Sequence, residues 1–426
     1  GIIFSPGVRF DMFLPNSDYR TSNERFVSIL ADSGFSAASN KFAISPRINV
    51  TYPITDMSNI SIAYGQYFKV AELTTMYDSY NLVTLRQGGV TMGDPNMEAQ
   101  QTNSYQVAYV NALTNNFKLT VTAYYKDIYN QLGTIYIPAN PKPYYQFAVS
   151  EYGNSKGIEI GLRKRPTKED NIGARINYTL GQVEGTASSA WANTQLPIDP
   201  YTDLIQYPLA PYRLSQDVRH RINFSLNLIW WDNQGPSIAG IQPLENTNIS
   251  FTTTWRSGYP YTARNLSGVA VSGPNTETGP AYTRTDMRFS KRFMLKDWFG
   301  DGAGHSAIEF FVDIYNLFSR AAVTSFYTTT GDPIDDGISF YRNPGNFSSG
   351  LLYEKANFSN VRSFNPEQYD NFGNRTYNPN GDFDGNGIIN QEERFDSYIL
   401  QLETSTQFQG NYQSPRTVYA GVMFRF

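Results

Sequence analysis

The chain has 426 residues and a formal net charge of −4, from 34 lysines and arginines and 38 aspartates and glutamates, and it contains no cysteine. Disulfide bonds and thiolate metal sites are therefore excluded, and the charge balance does not predict nucleic-acid binding, which requires a basic surface. No run of residues approaches the roughly 18 consecutive apolar positions that a membrane-spanning helix needs.

Apolar and polar residues alternate in about twelve segments of the sequence. Because successive side chains of a strand point to opposite faces, each segment predicts a β-strand with one apolar face and one polar face. The apolar positions, in chain order, are Val8, Phe10 and Met12; Ile44, Ile48, Val50 and Tyr52; Ile60, Ile62 and Tyr64; Tyr105, Val107 and Tyr109; Phe117, Leu119, Val121, Ala123 and Tyr125; Ile158, Ile160 and Leu162; Ile172, Ala174, Ile176, Tyr178 and Leu180; Ile222, Phe224, Leu226, Leu228 and Trp230; Ile249, Phe251 and Trp255; Met287 and Phe289; Ile308, Phe310, Val312 and Ile314; and Val418, Ala420, Val422, Phe424 and Phe426.

The connections between these segments alternate in length. The short ones are 54–57, 114–116 and 166–170, and 232–246 and 294–304 are intermediate; the long ones are 15–40, 70–100, 131–152, 185–215, 259–280 and 319–414. Outer-membrane barrels have short periplasmic turns, long extracellular loops and aromatic girdles, and 15% of this chain is aromatic. The alternative, a tyrosine-rich secreted β protein, has no reason to place its long connections at one end. The pattern therefore predicts an all-β fold, a transmembrane antiparallel β-barrel.

The direction of the last strand fixes the predicted topology. That strand follows the long connection 319–414 and descends, so the C-terminus is periplasmic and 319–414 is extracellular. In hydrocarbon every backbone N–H and C=O must be paired, which favours a closed barrel over an open sheet. We therefore expect a multi-pass protein of the cell outer membrane of a Gram-negative bacterium, in contact with outer-membrane lipid.

The order and spacing of several stretches resemble the C-terminal portion of the barrel of TonB-dependent outer-membrane receptors, especially the Oar-like branch common in Bacteroidota. They are "GVRFDMF", "SPRINVTYPITDMSNISIAYGQYF", "YYKDIYNQL", "GNSKGIEIGLRKR", "INYTLGQVEG", "DVRHRINFSLN", "SGYPYTARN", "FFVDIYNLFSR" and "SPRTVYAGVMFRF". The terminal Phe426 resembles the signal that the barrel-assembly machinery reads; the alternative is an ordinary terminal strand.

Receptors of that family have about 22 strands around an N-terminal plug domain. The resemblance implies that residues 1–426 form a partial barrel, the C-terminal half, without the plug. It also implies partners: the missing plug and N-terminal strands, on the same or a separate chain; TonB; and a surface lipoprotein that contacts the extracellular loops. We expect sequence to be missing upstream of Gly1.

Residues 382–393, "DFDGNGIINQEE", fit the spacing D-x-[DN]-x-[DN]-G-x₅-E of an EF-hand-like calcium loop. Gly387 occupies the sharp turn, and oxygen ligands in this arrangement suit Ca²⁺. The predicted ligands are Asp382, Asp384, Asn386, Ile388 through its carbonyl, Asn390 and Glu393. The alternative is a polar loop without an ion. In the extracellular loop 319–414 such a Ca²⁺ ion is structural, because it stiffens a long connection.

Uptake of an unidentified extracellular ligand by a TonB-dependent transporter is the leading interpretation. The alternatives are a structural or adhesive surface barrel with a calcium-stiffened loop, and a passive porin. No enzyme is predicted, because His220 and His305 lack a nucleophile in a recognisable setting. The strand charges are either solvated lumen walls or contacts for plug or solute; they are Arg47, Lys118, Glu159, Arg163, Arg175, Arg221, Arg288, Glu309 and Asp313.

Overall fold

The computed structural model describes residues 1–20, 35–77, 91–138, 143–196, 198–199, 201–202, 204–208, 210–238, 240–265, 268–300, 306–333, 368–369, 375–376, 383–385 and 411–425. The chain divides into two compact units. The first contains Gly1–Pro260, Thr283–Arg320 and Arg416–Phe426, and the second contains Tyr261–Tyr282 and Ala321–Pro415. The helices of the described ranges are short, and none has the length and apolar character needed to cross a membrane.

Strands dominate the described residues. They are β1 (Ile3–Phe13), β2 (Asp18–Arg20), β3 (Phe35–Ala37), β4 (Lys41–Thr55), β5 (Ser58–Lys69), β6 (Thr91–Met92), β7 (Gln100–Ala112), β8 (Phe117–Ile137), β9 (Tyr144–Lys164), β10 (Ile172–Gly185), β11 (Tyr212–Arg213), β12 (His220–Trp230), β13 (Thr247–Arg256), β14 (Pro260–Tyr261), β15 (Glu277–Thr278), β16 (Tyr282–Met294), β17 (Ala307–Tyr315), β18 (Gln368–Tyr369), β19 (Arg375–Thr376) and β20 (Thr417–Arg425). The helices are α1 (Leu73–Met76), α2 (Lys296–Phe299) and the 3₁₀-helix Ala192–Gln195.

Twelve long strands form one sheet in chain order, β1-β4-β5-β7-β8-β9-β10-β12-β13-β16-β17-β20. Neighbouring long strands run antiparallel, as in β8 with β9 and β17 with β20. The short strand β11 pairs with β10, and β6 runs parallel to β9. The twelve long strands follow one another in the sheet in the order in which they occur in the chain. The predicted all-β antiparallel barrel sheet of about twelve strands is therefore confirmed.

The apolar face of this sheet is left uncovered. Phe10 is 75% exposed, Phe42 71% and Phe424 61%, whereas a soluble protein buries large apolar side chains of this kind. On β8 the apolar positions run from Phe117 to Tyr125, which spans about 26 Å at ~3.3 Å per residue. That length matches the outward apolar band of roughly 25 Å on membrane barrels.

The polar face contains glycines that are covered by aromatic side chains from the neighbouring strand. A Cβ atom on Gly157 would lie 2.7 Å from the Tyr124 hydroxyl and 2.5 Å from the Leu180 carbonyl oxygen. A Cβ atom on Gly421 would lie 2.6 Å from the Phe311 ring. Each ring therefore covers the neighbouring strand at a glycine, where a larger residue would displace the ring, and this contact holds adjacent strands in register.

Strands β8 and β9 continue beyond their neighbours. The prediction of a long loop over 131–152 is therefore wrong for most of that range, which is strand. The pairing resumes after register shifts at Ile128/Gln131 and Gln131/Gly133 and reaches Ile137 opposite Tyr144. The shifts interrupt the alternation, which is why the sequence pattern stopped there. Two small buried clusters support the extension: Met76, Met97 and Phe147, and Met92, Ile137 and Tyr144.

The second unit combines two of the predicted long connections, 259–280 and 319–414. Tyr261 packs edge-on against Phe326 with ring centroids 5.0 Å apart, and Arg264 N donates a hydrogen bond to Thr328 O over 3.0 Å. Asn411 is buried and donates through Nδ2 to Pro333 O over 2.8 Å. These contacts show that segments distant in sequence form a shared structure within this unit.

Candidate functional site

The polar face of the long sheet is the candidate site, because it carries the charges that the sequence placed inside strands. Three cations lie side by side on it, since Lys118 of β8 is opposite Arg163 of β9 and Arg163 is opposite Arg175 of β10. We call Lys118, Arg163 and Arg175 the basic row. All three side chains are exposed. The row lies near the strand ends that adjoin the short connections 114–116 and 166–170.

A cavity of about 430 Å³ lies over the basic row. Its wall combines the three cations with one anion, Glu159, and with neutral polar side chains. The neutral polar lining residues are Thr120, Thr122, Asn177, Tyr178 and Thr179. Glu159 is four residues from Arg163 on the same strand, about 13 Å away at ~3.3 Å per residue. Among the described residues, no ion pair involves Lys118, Arg163 or Arg175.

A second charged area of the polar face lies on β16, β17 and β20, and its charges are paired. Arg288 Nη1 lies 3.2 Å from Asp313 Oδ2. Glu309 is 4% exposed, and its Oε2 lies 2.7 Å from Arg425 Nε and 3.8 Å from Arg292 Nε. The Arg425 contact lacks the angle of a hydrogen bond and is an ion pair only. We call these five residues the paired wall.

His220 has no catalytic surroundings in the described structure. Its Nδ1 lies 2.9 Å from the Tyr178 hydroxyl, and the two rings stack at 15° with centroids 6.2 Å apart. The neighbouring Asp217 is fully buried between Arg213 Nε at 2.6 Å and Arg219 Nη2 at 3.0 Å. This arrangement fixes the entry into β12. His305 lies outside the described residues.

The extended β8–β9 hairpin contains a buried carboxylate at its base. Glu151 is 6% exposed; its Oε1 accepts from Asn193 Nδ2 over 2.7 Å and its Oε2 accepts from Thr186 Oγ1 over 2.5 Å. Asn193 also donates to Thr134 O over 2.9 Å. The segment 186–196 is thus attached to the hairpin through Glu151. No local sequence pattern marks this group, because the partners of Glu151 are 35 and 42 residues away in the chain.

Some carboxyl groups outside the strands have a shifted pKa. Burial raises the pKa of Asp94, although the backbone N–H of Asn96 and the charge of Lys41 oppose the shift. The hydrogen bond from Lys164 lowers the pKa of Asp170, with help from the backbone N–H of Ile172. The shifts follow from burial in one case and from hydrogen bonding in the other. Both groups lie in connections, and neither lies in the cavity over the basic row.

The predicted calcium loop lies almost entirely outside the described residues. Asp384 is described and exposed, between Phe383 and Gly385, whereas Asp382, Asn386, Ile388, Asn390 and Glu393 are not. Within the described part of the chain no three histidine, aspartate or glutamate side chains come together as a metal site. Asp384 is the one ligand position of the loop among the described residues, so the calcium site stays a prediction. The terminal Phe426 also lies outside the described residues.

Solved structures that are similar to this chain include an iron transporter, a siderophore receptor and an outer membrane transporter. The FrpB iron transporter from Neisseria meningitidis is 11% identical, with a TM-score of 0.47, over 75% of this chain and 39% of its own. The siderophore receptor PiuA from Acinetobacter baumannii is 12% identical, with a TM-score of 0.47, over 76% and 37%. The outer membrane transporter YddB from Escherichia coli is 11% identical, with a TM-score of 0.47, over 66% and 38%. The chain thus spans about two fifths of the length of these structures.

A family comparison covers most of the chain. No curated protein sequence matches at a significant level. Residues 2–317 match the family described as TonB dependent receptor-like, beta-barrel, and this range contains β1 to β17 of the long sheet. The chain therefore belongs to the TonB-dependent receptor β-barrel family of the outer membrane.

Proposed function

We propose that the chain forms part of the barrel wall of a TonB-dependent transporter, and that this transporter takes up an unidentified ligand from outside the cell. The observation that carries the proposal is the match of residues 2–317 to the receptor barrel family. The two faces of the long sheet support it, because an uncovered apolar face suits lipid and a charged face suits a wet interior. Coupling to TonB and the proton-motive force follows from membership in the family.

Uptake is tested in cells with a mixture of candidate ligands. A parent strain and a strain lacking the gene grow on a defined mixture of iron chelates, oligosaccharides and peptides, and mass spectrometry follows the loss of each compound from the medium. We expect the parent alone to deplete one class, and a protonophore to abolish the difference. Equal depletion by both strains would contradict transport, and depletion that survives the protonophore would indicate the passive porin instead.

Further strands are proposed at both edges of the long sheet. In the described sheet β1 pairs with β4 on one side and β20 pairs with β17 on one side. Because hydrocarbon does not tolerate an open edge, we propose that additional strands complete a barrel of about 22 strands around a plug domain. The intact mass of the protein extracted from the outer membrane tests this. We expect a species larger than 48.1 kDa, or a co-purifying second chain; a lone species of that mass would contradict the proposal.

The orientation proposed is a periplasmic C-terminus and an extracellular segment 319–414, supported by the long connections lying at one end of the strands. Since the chain has no cysteine, single cysteines report their own location. Ser325→Cys is expected to react with an impermeant maleimide in intact cells, whereas Thr167→Cys, in a short connection, is expected to react only after lysis. The reverse pattern would invert the topology.

Calcium binding in the loop 382–393 is proposed from its ligand spacing. Calorimetry of the full chain with Ca²⁺ is expected to show one binding event that Asp382→Ala and Glu393→Gln each abolish. The matched control is Asp396→Asn, which removes an acidic group just outside the loop and leaves the binding heat unchanged. An absence of heat for the unaltered chain would contradict the site, and the adhesive role of a calcium-stiffened loop would lose its support.

A further inference from the structure

We propose that the basic row Lys118, Arg163 and Arg175 binds an oxyanion, a phosphate or carboxylate group, on the polar wall of the barrel. The inference rests on the proposed function in one respect, because it takes the polar face to line the interior. It deepens that function by assigning a chemical class of ligand to a site on the wall. The site is the cavity of about 430 Å³ over the row.

The positions of the three cations are unfavourable without an anion. Residues directly opposite on antiparallel strands have Cβ atoms about 4.5–5.5 Å apart, and like charges in such pairs are destabilising. Arg163 has a cation on both sides, Lys118 on β8 and Arg175 on β10. An oxyanion between the side chains would replace two repulsions with attractions.

The described part of the chain supplies no counter-ion at the row. Glu159 is the sole acidic group in the described lining of the cavity, and it belongs to a different level of the sheet, opposite Thr122 and Thr179. The lining thus carries three positive charges and one negative charge. The excess of positive charge favours an anionic ligand.

The remaining lining groups suit an oxyanion. The hydroxyl of Thr120 and the amide of Asn177 lie on the same face, one step along the strands from the row, and both donate hydrogen bonds to oxygen. Two arginines add planar guanidinium groups, whose parallel N–H donors match the two oxygens of a carboxylate or phosphate. The cavity is large enough for the anionic part of a larger solute. The basic row therefore combines charge with directional donors.

Phosphate binding by the full chain, extracted from the outer membrane in a non-ionic detergent, tests the proposal. Inorganic phosphate is titrated by calorimetry at low ionic strength, with chloride as the reference anion. We expect Arg163→Gln to weaken phosphate binding about tenfold, because Arg163 is the central cation of the row and hydrogen bonds to charged groups are stronger than neutral ones. Lys118→Gln and Arg175→Gln are expected to weaken it about threefold to fivefold each, and Arg163→Lys to retain part of the affinity.

The matched control is Arg288→Gln, which removes the same charge from the same face but from an ion pair with Asp313. It is expected to change phosphate affinity less than twofold. A hexaglutamate peptide forms the second arm of the experiment. If phosphate binds through the row, the ligand is a soluble oxyanion; if only the peptide does, it is the acidic part of a polypeptide. Heats no larger than those of chloride for both probes, or equal affinities in Arg163→Gln and the unaltered chain, would overturn the proposal.

The outcomes separate this inference from the proposed function. A phosphate titration that is insensitive to Arg163→Gln, together with uptake that requires the proton-motive force, would sink the inference alone. Uptake that is unchanged by the protonophore, together with phosphate binding that depends on Arg163, would contradict the proposed transporter and support the oxyanion site. Circular dichroism of each variant confirms that the barrel is folded before binding is compared.

Discussion

The basic row and the paired wall lie on the same face of the same sheet. In the paired wall three arginines meet two carboxylates. In the basic row a lysine and two arginines meet one another. The same number of long cationic side chains is thus neutralised within the chain in one place and left for an outside partner in the other. The contrast teaches that the residue opposite each strand charge, rather than the number of charges, decides which part of a barrel wall is available for binding.

The largest difference is expected between two glycines of the polar face, Gly157 on the strand of the basic row and Gly421 on a strand of the paired wall. A Cβ atom on Gly157 would meet the Leu180 backbone carbonyl, which cannot move without disturbing the sheet, whereas one on Gly421 would meet only the far end of the Phe311 side chain. We expect Gly157→Ala to lower the free energy of unfolding by about 2–3 kcal/mol and Gly421→Ala by about 1 kcal/mol. Urea unfolding in lipid vesicles measures both, and equal losses would show that the β9–β10 pairing relaxes freely.

The next largest effect is expected at Glu309, the buried carboxylate of the paired wall. Glu309→Gln removes the carboxylate that Arg292 and Arg425 share, so the wall becomes basic like the row. Because both arginines are about half exposed, we expect a loss of about 1–2 kcal/mol in unfolding free energy, less than for a fully buried pair. The isosteric change keeps the packing. An unchanged unfolding midpoint would mean that the pairs contribute nothing.

The basic row is expected to respond with the opposite sign. Arg163→Gln removes the repulsion between Arg163 and its two cationic neighbours, Lys118 and Arg175. In the absence of phosphate the free energy of unfolding should therefore rise by about 0.2–1 kcal/mol. High salt should shrink the difference between the variant and the unaltered chain, because it screens the repulsion. A loss of stability in Arg163→Gln at low salt would show that Arg163 already has an attractive partner.

The smallest effect is expected at Lys164, which follows Arg163 at the end of β9 and lies on the apolar face of the sheet. Lys164 is paired with Asp170, and this hydrogen bond lowers the pKa of Asp170 below 3.8. A carboxyl group with a depressed pKa stabilises the fold above its unfolded pKa, and that contribution is lost as the pH falls through the folded value. We expect the protection factor of the Ile172 amide, the factor by which its hydrogen exchange is slower than that of an unstructured amide at the same pH, to be kept at pH 4 and to fall at lower pH. In Asp170→Asn this pH dependence should disappear.

The alternation of side chains predicted the twelve long strands and their two faces. Lys118, Thr120 and Thr122 fall on the polar face of β8, as expected, and Phe117, Leu119 and Val121 on the other. The pattern ended early on this hairpin, because register shifts near Gln131 break the period of two that the prediction depends on.

Charge pairing was beyond the reach of the sequence. Arg163 and Glu309 were both identified as strand charges, but the sequence alone does not tell which strand positions are opposite each other. That Arg163 faces two cations follows from the register of three strands. The calcium loop is the reverse case: its spacing is readable from sequence alone, and Asp384 is the one described ligand position.

The enclosed Glu151 has a consequence for how the segment 186–196 behaves over time. Its carboxylate is held by neutral donors, Asn193 and Thr186, with Ser150 at 3.1 Å. A carboxylate shielded in this way loses much of its hydration, so water competes strongly for it whenever the segment lifts. Detachment thus returns solvation that offsets the broken hydrogen bonds. We therefore expect the segment 186–196 to detach as a local unit, without separation of the strands beneath it.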